Sequence, residues 1–409
     1  MPSKECRLYE TPPIGEPEKN ALSRIADLQK DLRFRAHTPR RWHGVIRRVL
    51  AAKHVVNSNS IEGFVVSAED GLELSEGEES DLLPGDPNRR AVEGYRQALT
   101  FTLQTGRDHP IDPSTLRSMH FMMTSFDLTA APGRWREKEV FVVNESTGAT
   151  VYEGPDPDSV PDLIDCLVDE LARDSDTHPI VRAAMAHLNY TMIHPHKDGN
   201  GRMSRALQTW LLVRNDIGEP EFASIEEFLG HGENTIDYYA VLSEVGQGAW
   251  NPQNDATPWV RFCLKAHFVQ AASVLRRLDE AEQRWTSLER LVATAGVPER
   301  SIEALHFAAL GYKLKNSSYR WAVAHSEKIS DQVASKDLKK LVEADLLVRT
   351  GSKRGSAYHA TNKLVDVQNR ILAAREPIDA SRLFETSSAP HQHVFVAGGD
   401  VVGVDFVDC

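Results

Sequence analysis

Apolar residues recur at helical spacing early in the chain, at Leu22, Ile25, Leu28 and Leu32 and again at Val45, Val49 and Leu50, which predicts helix from roughly 20 to 56. Residues 1–20 hold four prolines and no period, and predict an arm; the acidic stretch 69–86 predicts a loop. Helical spacing resumes over 90–105, 114–126, 162–173, 180–193, 203–214 and 258–277. One stretch departs from it. Val140 to Val143 and Thr150 to Tyr152 are short β-prone runs around the turn-forming Asn144 to Ala149, which predicts a hairpin. From about 285 the pattern shortens to helices over 301–310 and 330–344, then two β-prone pieces at 346–349 and 357–360 around the basic turn containing Lys353 and Arg354. Short helices followed by a two-stranded ribbon read as a winged helix-turn-helix, and the segment after Pro377 carries little pattern.

Composition narrows the class. With 409 residues, 41% hydrophobic and 26% charged, the chain is long enough to bury a large core without crosslinks. Cys6, Cys166, Cys263 and Cys409 are scattered, with no C-x-x-C pair, so neither structural zinc nor a disulfide framework is expected. The N-terminus has no apolar signal region and no run approaches the ~20 apolar residues that cross a bilayer. A cytoplasmic protein with no membrane partner is the expectation. The net charge is −12, yet residues 286–375 carry 15 Lys/Arg against 9 Asp/Glu. A basic segment in an acidic chain marks either a module for an anionic partner or a solvated helical surface.

The segment with chemistry is His194-Pro-His-Lys-Asp-Gly-Asn-Gly-Arg-Met-Ser-Arg205, lying between two apolar helices. Gly199 and Gly201 allow close backbone approach, and the free amides of the second helix's N-terminus make an anion pocket. Arg202 and Arg205, three apart, share a helix face and can reach the same phosphate oxygens. Asp198 is a hard, acceptor-only ligand suited to Mg²⁺. His194, with an ordinary pKa near ~6.5, suits a general base. A base, a metal ligand, an anion cradle and two arginines describe nucleotidyl or phosphoryl transfer. His194 and His196 with Asp198 also fit an H-x-H metal site. No G-x-x-x-x-G-K-[ST] is present, which excludes a P-loop.

This string resembles the signature of the Fic-domain AMP-transferases, H-P-F-x-[DE]-G-N-G-R-x-x-R, with His196 as the one departure, where the family has a packing Phe. The resemblance spans roughly 50–270. It implies that His194 deprotonates a target hydroxyl, that Asp198 holds Mg²⁺, that Lys197, Gly199, Asn200, Gly201 and Arg202 bind the phosphates of ATP, and that Arg205 reaches the γ-phosphate. Gly133, Arg136, Val140 and the hairpin are similar to the family's target-docking flap, and Tyr238 and Tyr239 to aromatic positions near the adenine. Ser58-Asn-Ser-Ile-Glu-Gly63 resembles the inhibitory pattern [ST]-x-x-x-E-[GN], in which Glu62, flanked by Ser58 and Gly63, pairs with Arg205; on its residues alone the hexapeptide is equally a helix cap.

The expectation is an all-α Fic core with a small β-hairpin flap and a C-terminal winged helix. The division is 1–100 for the N-terminal helical region with the inhibitory motif at 58–63, 101–284 for the catalytic core with its loop at 194–205 and flap at 133–153, 285–375 for the winged helix, and 376–409 for a tail. The function implied is autoinhibited transfer of AMP to a Ser, Thr or Tyr hydroxyl of a target protein and of the chain itself. Alternatives are a DNA-binding regulator with a nucleotide-sensing core, a donor other than ATP, and removal of AMP. Residues 286–375 are expected to meet DNA or a protein, and an oligomer is compatible with the sequence.

Overall fold

A computed structural model describes residues 7–38, 40–77, 80, 82–143, 150–217, 224–324, 327–352 and 355–385. It is built on helices. The first is α1 (Glu16–His37), opened by Pro17 with Glu16 and Glu18 in its first turn, where carboxylates favour the dipole. α2 (His43–Ser60), α3 (Ala68–Glu76), α4 (Pro87–Thr105) and α5 (Pro113–Thr124) follow, then the hairpin β1 (Phe141–Val143) and β2 (Thr150–Glu153). Next come α6 (Val160–Ala172), α7 (Pro179–Ile193), α8 (Asn200–Arg214), α9 (Glu226–Leu229), α10 (Glu233–Gly246) and the 39-residue α11 (Thr257–Ala295). The C-terminal part holds α12 (Ser301–Ala309), α13 (Asn316–Val323), α14 (Asp331–Glu343), the antiparallel strands β3 (Leu347–Thr350) and β4 (Ala357–Ala360), and α15 (Asn362–Ala373). A bridge between Leu314 and Tyr358 adds a third short extended segment to that ribbon.

Two hydrophobic clusters organise these elements. The larger gathers α4 to α8, α10 and the first half of α11, with α7 and α8 at its centre. Trp210 and Trp259 fix that centre by donating to the Gly106 carbonyl (2.9 Å) and the Ala184 carbonyl (2.7 Å). The second cluster joins the distal half of α11 to α12, α13 and α14, and also takes in Val45, Ile46, Val49, Leu50 and Ala52 of α2. One helix therefore spans both: α2 gives Val55 to the first cluster and its N-terminal turns to the second.

Several elements depart from the expectation, each with a local cause. α1 begins inside the expected arm, because Ala21, Leu22 and Ile25 dock on the main core. The stretch expected as a loop contains α3, capped by Ser67 accepting from the Asp70 amide (3.1 Å), anchored by buried Leu72 and Leu74, and closed by left-handed Gly77. α11 continues past 277 because Leu278, Ala281, Trp285, Leu288 and Val292 prolong its apolar stripe. α10 and α15 were not evident in the pattern. The weakly patterned segment after 376 docks through Leu383, which is fully buried while Asn20 holds its carbonyl. No disulfide framework was expected; Cys166 is nevertheless disulfide-bonded, and Cys263 is a buried free thiol. The hairpin turn 144–149 and Lys353 and Arg354 lie outside the described residues. No described helix is long and apolar enough to cross a membrane.

Candidate active site

The site forms where α7 ends and α8 begins. His194 caps α7 in the left-handed region (φ 50°), an uncommon place for a side chain with a Cβ. Arg136 over-determines it, donating from Nε to the His194 carbonyl (2.8 Å) and from its own amide to the Pro195 carbonyl (2.8 Å). The imidazole Nδ1 faces the Thr191 carbonyl at 3.2 Å, so that nitrogen carries the hydrogen and Nε2 keeps its lone pair. Burial, with Arg136 adding to it, pushes the pKa of His194 down to about 4 against the smaller opposing pull of Thr191, Glu62 and Asp198. The ring is a neutral acceptor at pH 7.

The loop between the helices is closed by its own side chains. Asn200 accepts from the His196 amide (2.8 Å) and donates to the His196 carbonyl (2.9 Å). Gly199, at φ 79°, turns the chain into α8 and gives its amide to the Asp198 carboxylate (2.7 Å). The other Asp198 oxygen lies 3.6 Å from Arg202 Nη2, and the side chain is half exposed at 53%. Among the described residues no cluster of three His, Cys, Asp or Glu could hold a metal. The H-x-H metal reading also loses its ligand, because both ring nitrogens of His196 are bonded, at 2.8 Å to the Arg134 carbonyl and 2.8 Å to Tyr190 Oη.

The first turn of α8 is the unusual part. Arg202 is fully buried, yet none of its three guanidinium nitrogens has a hydrogen-bond partner among the described residues; Asp198 is ion-paired with it at 3.6 Å, and the Phe64 ring lies 5.0 Å from the guanidinium. Arg205 is buried too. Its Nε donates to Ser58 Oγ (3.0 Å) and its Nη2 to the Ser58 carbonyl (2.8 Å) and to Glu62 Oε1 (2.8 Å), while Nη1 has no hydrogen-bond partner among the described residues.

Glu62 reaches this turn from the end of α2. Its amide and that of Phe64 close on the Asn59 carbonyl, at 3.0 and 3.1 Å, around left-handed Gly63 (φ 83°). The carboxylate then lies directly against Gly201, where a Cβ would meet Glu62 Oε1 at 2.3 Å. Burial raises the Glu62 pKa, but Arg205 and Arg202, with the Arg205 hydrogen bond and His194, outweigh it and hold the carboxyl below the usual range. An anionic group therefore occupies the helix N-terminus, in a pocket built with more donors than that group uses.

The structure brings His194, Asp198, Gly199, Asn200, Gly201, Arg202, Arg205, Ser58, Glu62 and Gly63 together. The other expected residues are held in other ways. Lys197 is exposed and donates to the Thr129 carbonyl (2.8 Å), outside the arginine cluster. Tyr238 is 1% exposed, packed on Trp259 and bonded to His187 Nε2 (3.1 Å), so it is a core residue and its ring offers no open face to a base. Tyr239 is 47% exposed beside Ile61. Arg136, expected on a docking surface, is buried and clamps the loop instead. Gly133 donates to His120 Nδ1 (2.9 Å), and the Val140 carbonyl accepts from Gly154 (3.1 Å) to close the hairpin base. His120 was missed in the sequence, where a lone histidine on an apolar helix carries no signal.

Comparison with known proteins agrees with the geometry. Residues 110–212 match the Fic/DOC family. The chain is 26% identical over 267 residues to "Protein adenylyltransferase fic-1" of Caenorhabditis briggsae, covering 63% of this chain and 48% of that protein. It is 39% identical over 85 residues to "Protein adenylyltransferase Fic" of Aedes aegypti, covering 21% of this chain and 14% of that one. The chain thus spans about half the length, at most, of these curated relatives. A solved Fic family protein from Desulfovibrio desulfuricans G20 superposes with a TM-score of 0.54 at 22% identity, over 86% of this chain and 98% of that one, and shows the same fold.

Proposed function

With a Fic/DOC domain as its core, we propose that this chain transfers AMP from ATP to a hydroxyl of a protein, itself included, and that Glu62 restrains the reaction. The observation that carries this reading is the unsatisfied cationic pocket at the start of α8. Among the described residues, three nitrogens of buried Arg202 and one of Arg205 lack hydrogen-bond partners, and the anions facing them are the chain's own Glu62 and Asp198 carboxylates. Burying guanidinium nitrogens without hydrogen bonds costs roughly several kcal/mol, which suits a site kept for an anion that is not always present. A triphosphate supplies such an anion with the right number of oxygens. The relatives' names point to the same chemistry.

The steps follow from the residues. The neutral His194 Nε2 takes the proton of a Ser, Thr or Tyr hydroxyl, whose oxygen bonds to the α-phosphorus. The bond from that phosphorus to the bridging oxygen breaks, and pyrophosphate leaves. The α8 amides and Arg202 stabilise charge on the phosphates, and Arg205 takes the terminal phosphate once Glu62 has moved. Asp198, a half-exposed carboxylate with hard oxygen donors, would hold a Mg²⁺, and that ion would neutralise phosphate charge. Exposed Phe141 and Val151 on the hairpin offer apolar anchors for an extended target segment.

We also read 285–375 as a winged helix that meets an anionic partner. Its net positive charge supports this, as does a cleft of about 570 Å³ whose lining holds Lys315, Arg320, Lys339 and Arg349 against one carboxylate, Asp331.

Transfer from α-labelled and γ-labelled ATP with Mg²⁺ tests the main reading, using wild type, Glu62→Gly and Glu62→Gly/His194→Ala with self-modification as readout. Label from the α position alone, strongest in Glu62→Gly and lost in the double variant, is the expected result. Label from the γ position would make the protein a kinase and overturn the assignment.

A further inference from the structure

The position at which this chain departs from the Fic signature has its own device. We propose that His120 and His196 act as a stacked pair of positioning residues that set the catalytic loop, a role that rests on the AMP-transfer reading above. Their rings lie face to face, with centroids 3.5 Å apart and planes 9° from parallel, and both side chains are fully buried. Trp135 also packs on His196, with ring centroids 4.8 Å apart and planes tilted by 40°.

Each of the four ring nitrogens has one defined task. His120 Nδ1 accepts from the Gly133 amide (2.9 Å), so its Nε2 carries the hydrogen and donates to the Asp198 carbonyl (2.9 Å). His196 Nδ1 faces the Arg134 carbonyl (2.8 Å) and must donate, so its Nε2 accepts from the Tyr190 hydroxyl (2.8 Å). The assignment closes with both rings neutral and no nitrogen left over. A phenylalanine at 196 would fill the same space and make neither bond.

The anchors belong to four separate pieces of the molecule. His120 sits on α5, Tyr190 on α7, Gly133 and Arg134 on the segment leading to the hairpin, and His196 and Asp198 on the loop. The pair therefore ties the loop to two helices and to the approach of the hairpin at one point. Its consequence reaches the chemistry through the backbone. His120 holds the carbonyl of Asp198, whose carboxylate is turned by the Gly199 amide, and His196 sits two residues after His194, whose carbonyl Arg136 holds. Gly199 closes over the stack with no room to spare, since a Cβ there would meet Thr124 Cγ2 at 3.0 Å and His120 at 3.5 Å. Small errors in the direction of a base or a carboxylate cost rate far more than they cost binding.

The test uses full-length Glu62→Gly as parent and compares His120→Leu, His120→Gln and His196→Phe. Self-modification kcat, KM for ATP and thermal midpoint are measured for each. His120→Leu removes the donor to Asp198 and is expected to lower kcat by ~10–100-fold, the range for residues that orient a site, with KM within about 3-fold of the parent. His120→Gln keeps a donor near Nε2 and recovers kcat to within about 10-fold of the parent. His196→Phe keeps the ring and isolates the two lost bonds; a kcat loss of about 10-fold is expected. An active parent with all three variants within 2-fold overturns the pair and leaves the transferase reading standing. So does a loss in which His120→Gln is no better than His120→Leu, or one that falls on KM alone. A parent that moves no α-label sinks the transferase reading first, and the pair with it.

Discussion

Two sets of cations in this chain look alike in the sequence and are held in opposite ways. Arg202 and Arg205 at the start of α8 are 0% and 1% exposed, and Arg202 has no hydrogen-bond partner among the described residues. In the cleft between α13, α14 and β3, Arg320 is ion-paired with Asp331 (2.9 Å), Lys339 lies 3.6 Å from Glu343 and Arg349 bonds Ser356 Oγ (3.1 Å), all at the surface. Surface pairs contribute little to stability and lose little when broken. Arg202 has Asp198 at that same 3.6 Å, but its buried nitrogens make no hydrogen bond among the described residues, which is costly. The first arrangement therefore leaves buried donors available to an incoming anion, whereas the second says only that the surface is positive.

The largest effects are expected at the first site. In the Glu62→Gly background, His194→Ala should lower transfer by at least ~10²–10⁴-fold, the usual share of a general base. Glu62→Gly itself should raise wild-type transfer by ~10–100-fold, matching the loss of a charge-assisted contact of about 1.5–3 kcal/mol that competes with the nucleotide. Equal rates in Glu62→Gly and wild type would remove the brake from the argument. Arg202→Met tests the comparison most directly, since it keeps bulk and deletes three buried donors that make no hydrogen bond among the described residues. Calorimetric affinity for ATP should fall by ~10–100-fold, while denaturant unfolding should show equal or greater stability, by up to about 1–3 kcal/mol. A variant that binds ATP as before, or one that is markedly destabilised, would show that Arg202 has a structural partner.

Why one region was legible and the other was not follows from how each is encoded. The catalytic loop is twelve consecutive residues, so its chemistry and its glycines could be read in order, and the structure assembles nearly all of them. Ser58 and Glu62 were legible only through resemblance, because the contact with Arg205 spans 143 residues or more and has no local signal. Tyr238 and Tyr239 show the limit of adjacency. Neighbouring residues on α10 point about 100° apart, so one enters the core and the other faces solvent. Arg136 and His120 were misread or missed for the same reason: each acts by holding a backbone carbonyl, and a carbonyl has no letter in the sequence. The fold shows the parallel. Long periodic helices were evident, but α3 depends on a cap and two leucines, and Leu383 docks from a segment with no period at all.

Acid should act on the catalytic core in a defined window. Burial first of all pushes His120, His187, His194 and His267 down to about 4 from the ordinary 6.5. An unfolded chain takes up these protons near pH 6.5 and the folded one only near 4, so the unfolded state binds more protons in between and stability falls as pH drops through that range. Glu226 and Glu227 lie near 2, held there against their burial by His54 and by Arg277 and Lys53, so their share is lost only below about 4.5. Thermal midpoints should be level above about pH 7, fall between 6.5 and 4 and fall further below. A midpoint that rose on acidification would mean that these rings are paired as cations. The same pKa of about 4 keeps His194 a competent base down to mildly acidic pH.

The smallest effect is expected in the C-terminal cleft, and it decides whether the two sets of cations really differ in kind. Lys339→Met and Arg349→Met remove charge from a solvated surface, so stability should move by less than about 0.5 kcal/mol and Glu62→Gly transfer by less than about 2-fold. If the region meets duplex DNA, the full chain should bind it with an affinity that falls steeply with salt, and each lost phosphate contact should reduce the salt slope by roughly 0.9. Binding that ignored salt would argue for a protein partner instead. A large change in transfer from either substitution would be the more consequential result, because α2 carries Glu62 at one end and packs its other end against this same C-terminal cluster. The surface cations would then act on the buried ones, and the separation drawn between them would hold for chemistry but not for control.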